Sequence, residues 1–88
     1  MTFEISIKKS SLKFIKGLDK SQKSIIHDFL LVIKEHAVPS KKYDIVKLKN
    51  FTNTFRVRFG NIRIVYTVSW NDNKILVQFI GWRKDAYK

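Results

Sequence analysis

FRVRFGNIRIVY (residues 55–66) decides the fold. Gly60-Asn61 is a two-residue hairpin turn, because both residues tolerate positive φ. Placing the turn there pairs Phe59 with Ile62, Arg58 with Arg63, Val57 with Ile64, Arg56 with Val65 and Phe55 with Tyr66. Side chains on paired strands share a face, so one side reads Phe, Val, Phe, Ile, Ile, Tyr and belongs against a core. The other side carries Arg56, Arg58 and Arg63. Like charges directly opposite each other weaken an antiparallel pair, so the arrangement predicts an anion between the guanidiniums. Phosphate fits that site, since arginine offers a planar fork of donors.

The same period of two continues downstream. Strands are expected at 54–59, 62–70 and 74–82, with Asn71-Asp72-Asn73 as the second turn. That turn pairs Val68 with Ile75, Tyr66 with Val77 and Ile64 with Phe79, leaving Leu76, Gln78 and Ile80 on the arginine side. Upstream, TFEISI alternates and reads as a strand with Phe3, Ile5 and Ile7 on one side. Ser10 or Ser11 caps a short helix through Leu12, Phe14, Ile15 and Leu18. Asp19 or Ser21 caps a second, in which Ile25, Ile26, Phe29, Leu30, Val32, Ile33 and Ala37 recur at helical spacing. Pro39 stops it near residue 37. YDIVKLK (43–49) is a brief extended piece or a loop with Leu48 tucked inward. The expected fold is α+β: an N-terminal strand, a helical hairpin, then an antiparallel three-stranded meander, forming one sheet with the helices packed on one face. Residues 1–88 read as a single domain.

Eighteen Lys and Arg against seven Asp and Glu leave a net charge of +11, which favours a polyanionic partner. The charge is uneven: residues 1–40 carry +3 and residues 41–88 carry +8. There is no cysteine, hence no disulfide framework and no thiolate metal site. The apolar run Phe29 to Ile33 is far too short to span a bilayer, and the N-terminus lacks a signal pattern. These features predict a soluble, cytoplasmic protein with no membrane association. His27 and His36 have no Cys, Asp or Glu at metal-ligand spacing, so neither a metal nor a cofactor is expected. Exposed surface on the second helix, around Leu31, is available to a partner helix.

Three segments in order, KLKN (47–50), FRVRFGNIRIVY (55–66) and IGWRKDAY (80–87), resemble the corresponding segments of the RelE/ParE superfamily of toxins from toxin–antitoxin pairs. The resemblance spans nearly the whole chain, and the final AYK is similar to archaeal RelE-type members. It implies a ribosome-dependent mRNA endoribonuclease that cuts A-site mRNA without metal, by attack of the 2′-hydroxyl on the adjacent phosphate. Carried over residue by residue, it implies Arg58, Arg63, Arg83 and Tyr87 as catalytic. Lys47, Lys49, Arg56, Lys84 and Lys88 would grip RNA. The implied partners are the ribosome, its mRNA and a small acidic RelB-like antitoxin.

Two positions depart from the family pattern. Trp82 stands where the tail often has His, and Asn50 replaces a Gly. Arg56 and Arg58 match positions often held by Lys, and a guanidinium stays protonated, so neither serves as a general base. The proton acceptor is therefore unassigned. Two other functions fit the same residues: a ParE-like inhibitor of DNA gyrase with no nuclease chemistry, and a non-catalytic basic relative that binds RNA or ribosomes.

Overall fold

A computed structural model describes residues 2–86. The chain runs β1 (Glu4–Ile7), α1 (Lys9–Lys16), α2 (Lys20–Glu35), β2 (Asp44–Lys47), β3 (Thr54–Phe59), β4 (Ile62–Ser69), β5 (Lys74–Trp82) and a single 3-10 turn (Arg83–Asp85). One five-stranded sheet has the order β1-β5-β4-β3-β2. The expected meander is its centre, and two further strands flank it. β1 adds to β5 in parallel, with Ile5 beside Ile75 and Ile7 beside Val77. The stretch left open between strand and loop is a strand, β2, antiparallel to β3. The sheet is therefore mixed. Among the described residues, no helix is long and apolar enough to cross a membrane.

The first hairpin takes the expected register throughout, from Phe59–Ile62 to Phe55–Tyr66. Of its two turn residues only Gly60 uses positive φ, at 56°. The second hairpin agrees at Val68–Ile75 and Tyr66–Val77, then departs. Val65 faces Phe79 and Ile64 faces Ile80, so Gln78 is the extra residue of a β-bulge. The bulge corrects two assignments. Ile80, expected on the arginine side, is buried in the core, and Phe79, expected in the core, lies half-buried on the open face. No turn signal marks a bulge inside an apolar strand, so alternation alone carried the wrong phase past Val77.

Helix α2 begins with a capping box. The Asp19 carboxylate accepts the Gln22 N–H at 2.8 Å, and the Gln22 side chain accepts the Asp19 N–H. Ile26, Phe29 and Ile33 are buried against the sheet. The Phe29 ring contacts Tyr43, Phe59 and Tyr66 edge-on at 4.9, 5.4 and 5.9 Å, linking the helix to three segments of the opposite layer. At the helix end the Tyr66 hydroxyl donates to the Ala37 carbonyl at 2.8 Å.

Helix α1 starts two or three residues earlier than a cap at Ser10 or Ser11 would place it. Lys8 is its N-cap and makes no side-chain capping bond. Ser11 serves another purpose. It is buried, and its Oγ accepts the Ile80 N–H at 3.0 Å. β1 pairs with β5 only as far as Val77, so this hydroxyl satisfies a donor on the strand edge that α1 covers. Phe14 closes the same contact edge-on against Trp82, 5.0 Å between centroids.

Two outcomes follow. Ser11→Ala leaves the Ile80 N–H without its acceptor, and urea unfolding is expected to show a loss of about 1–3 kcal/mol; an unchanged midpoint would remove this role. Burial raises the Tyr66 phenol well above the ordinary tyrosine range. The protonated form is the one the fold accommodates. Its contribution is therefore complete below pH ~10 and falls away as pH climbs above that value. Tyr66→Phe should flatten that alkaline limb in a pH series of unfolding midpoints.

Candidate nucleic-acid interface

Three rows of side chains form the face of the sheet turned away from the helices. They read Thr54–Thr67–Leu76, Arg56–Val65–Phe79 and Arg58–Arg63–Gly81 across β3, β4 and β5. The like-charged pair Arg58–Arg63 is present as expected, and the two guanidiniums turn to different places. Arg58 turns outward to Asp44 on β2, with Nη2 to Oδ2 at 2.5 Å. Arg63 turns inward and is only 4 % exposed. Its Nη1 donates to the carbonyls of Gly60 at 2.6 Å and Ile62 at 3.1 Å. Its Nε is buried with no hydrogen-bond partner among the described residues. The two guanidiniums thus have separate acceptors within the protein, a carboxylate for one and a turn backbone for the other. Asp44 carries no local signal, because its strand is defined only by pairing with β3. Once β2 pairs with β3, the register places it beside Arg58.

The remaining cations fall into two groups. Lys49 and Arg56 line one recess on the open face, of about 250 Å³, with Leu48, Phe51, Val65 and Ala86. Arg83 and Lys84 line a larger hollow of about 560 Å³ with Asn61 and Trp82, at the hairpin end. The 3-10 turn connects the two. It starts where the Arg83 N–H donates to the Asn61 carbonyl at 2.8 Å, and ends at Ala86 over the open face. Lys47 joins neither group, since it pairs with Phe55 and shares the parity of the helix-side residues. Tyr87 and Lys88 lie outside the described residues.

A second recess, of about 300 Å³, adjoins the first and shares Leu48, Phe51, Val65 and Ala86 with it. Thr54, Gln78, Phe79 and Asp85 complete its wall. The Phe79 ring leans over Gly81, where an added Cβ would sit 2.5 Å from its Cζ. Gly81 therefore gives the ring its seat. The sequence reading passed over Phe51 and ascribed Gln78 only to a mixed surface. A lone aromatic in a loop and a polar residue at an unseen bulge carry no periodic signal.

The two partners of the like-charged pair should differ in weight. Arg58 and Asp44 are 59 % and 49 % exposed, so Asp44→Ala is expected to shift urea stability by less than about 1 kcal/mol. Arg63→Ala strips the Gly60 and Ile62 carbonyls of their donor and should lower it by about 1–3 kcal/mol. Equal effects would contradict the different settings of these side chains.

No protein-family profile matches the chain. A protein named as the toxin RelE1 of Methanocaldococcus jannaschii is 35% identical over 88 residues, covering 100% of this chain and 98% of that one. The RelE–RelB complex of Pyrococcus horikoshii contains a chain of the same fold, with a TM-score of 0.85, 28% identity, and coverage of 98% of this chain and 100% of that chain. A double mutant of the E. coli toxin RelE, in its free state, has the same fold at a TM-score of 0.76 and 16% identity, covering 98% of this chain and 88% of that one. With its full-length likeness to RelE1 and its strand–helical hairpin–sheet architecture, the chain belongs to the RelE family of toxins.

Proposed function

We propose that this protein is the toxin of a toxin–antitoxin pair and acts as a ribosome-dependent, metal-independent mRNA endoribonuclease. The observation that carries this reading is the open face of the sheet. There Lys49 and Arg56 share a recess, and the turn crossing that face begins at Arg83 and Lys84. A cationic, partly apolar surface of this kind suits single-stranded RNA in a ribosomal site. The relative in the Pyrococcus complex is assembled with RelB, which supports a small acidic RelB-like antitoxin as the neutralising partner here.

In the proposed reaction the 2′-oxygen of one nucleotide attacks the adjacent phosphorus and the P–O5′ bond breaks. The products are a 2′,3′-cyclic phosphate and a 5′-hydroxyl. Charge accumulates on the phosphorane oxygens, and fixed cations stabilise it. Arg83 is suited to that role, because its backbone is tied to the hairpin turn. Arg58 can exchange its exposed carboxylate partner for a phosphate at little cost. Arg63 contributes by holding the Gly60 turn on which Arg83 is anchored. Tyr87 orients the scissile nucleotide, and Lys49, Arg56 and Lys84 hold the backbone on either side, with Lys47 and Lys88 adding to the surrounding positive field. No arginine in the set accepts a proton, so activation of the 2′-hydroxyl rests on electrostatics or on a group of the ribosome.

Primer extension on a translated message, with cognate ribosomes, tests this reading. Wild-type protein should produce cuts inside A-site codons. Arg83→Ala should reduce the rate by about 10²–10³-fold, the weight of one well-placed oxyanion donor. No cuts from folded protein on active ribosomes would overturn the nuclease reading.

A further inference from the structure

We propose that the paired recesses between the β2–β3 loop and the C-terminal turn form a nucleobase subsite, in which one base of single-stranded RNA stacks on Phe51 and has its edge read by Gln78. This deepens the nuclease reading and rests on it for the identity of the RNA.

Phe51 is the most exposed large apolar residue described, at 61 %. It does not sit on a loose tip. The Leu48 N–H donates to the Thr54 carbonyl at 2.9 Å, and the Val68 N–H reaches the Asn53 carbonyl at 2.9 Å. Asn53 itself turns the chain with φ of 50°. The loop is thereby bonded to both β3 and β4, and Phe51 is held over the two recesses with Leu48 and Val65. An exposed ring held in place this way offers a fixed flat face on which a base can stack.

Gln78 supplies the second half of the argument. Hydrogen-bond accounting decides which way its amide points. The Thr54 hydroxyl donates to the Thr52 carbonyl at 3.0 Å, and a carbonyl can only accept. Its single proton is then used, so in the 2.9 Å contact between Thr54 and Thr67 the donor is Thr67. With that proton spent, Thr67 Oγ1 can only accept from Gln78, and it does so from Nε2 at 2.7 Å. Four groups thus form a one-way relay ending at a backbone carbonyl. The relay leaves the Gln78 carbonyl oxygen and one amide proton to the recess. A glutamine amide presented by both its acceptor and its donor is the general partner of a base edge, adenine above all.

Charge selects the occupant. Lys49 and Arg56 line the neighbouring half of the site, where the phosphate attached to a stacked base would lie. Ring, amide and cations correspond to base, base edge and backbone. An apolar peptide segment would leave the open acceptor and donor of the Gln78 amide unfilled.

The test needs no ribosome. Binding of a hexaadenylate RNA is compared with that of an abasic hexamer of the same sugar-phosphate backbone. Wild type should bind the hexaadenylate more tightly. Phe51→Ala should weaken it roughly 5–150-fold, the range for one stacked base, and leave the abasic strand unchanged. Gln78→Ala, also at an exposed position, should weaken the hexaadenylate alone and shift the base profile of any ribosomal cuts. Equal affinities for the two strands in wild type, or indifference to both substitutions, would overturn the subsite even if A-site cleavage is observed. Phe51-dependent binding by a protein that never cuts mRNA would sustain the subsite while removing the nuclease reading.

Discussion

The backbone of Gly60 is the point on which the rest of the structure turns. Its φ of 56° closes a two-residue loop, and the loop length sets the register of β3 on β4. A slip of one residue would drive Arg56 and Arg58 into the layer that holds Phe29 and Ile33, and push Val57 into water. Everything on either face inherits this choice. The Arg63 guanidinium then returns to the same residue and grips its carbonyl. The turn therefore fixes the strand, and a side chain of that strand fixes the turn.

This reciprocity explains how a sheet tolerates arginines in facing positions. Repulsion between two guanidiniums falls quickly once each has its own acceptors. Asp44 provides a carboxylate for one, and the turn carbonyls provide partial charges for the other. A buried guanidinium bound to neutral carbonyls stays charged. Arg63 consequently adds to the positive field over the hairpin end without offering its own face to a ligand. Family likeness alone would place all these arginines in one role, whereas the geometry separates an exposed, exchangeable pair from an internal brace.

Much of this was readable from local pattern. The first hairpin and both helices follow from turn chemistry and helical spacing, and Asp19 is one of two cap candidates beside the second helix, all features of neighbouring residues. What escaped depends on contacts distant in sequence. β2 acquires its status only by pairing with β3, and Asp44 its meaning only by facing Arg58. Ser11 looks like a helix cap, but its hydroxyl answers a donor on β5. The bulge at Gln78 satisfies no local rule. It arises where β5 must face β4 on one side and exchange β1 for α1 on the other. For the site the division is similar: the arginines were visible as a face, while the recess around Phe51 needed the fold to assemble it.

The parallel ladder between β1 and β5 has a temporal meaning. Ile5 rests beside Ile75, so the first strand waits for nearly the last before it has a partner. The helices can form as soon as they are made, but closing so long a loop is slow, and its reward arrives only with residues 74–77. On a ribosome those residues are still within the exit tunnel when the preceding segments emerge. Until they do, Ile5 and Ile7 have no strand to lie beside and the sheet lacks its parallel edge.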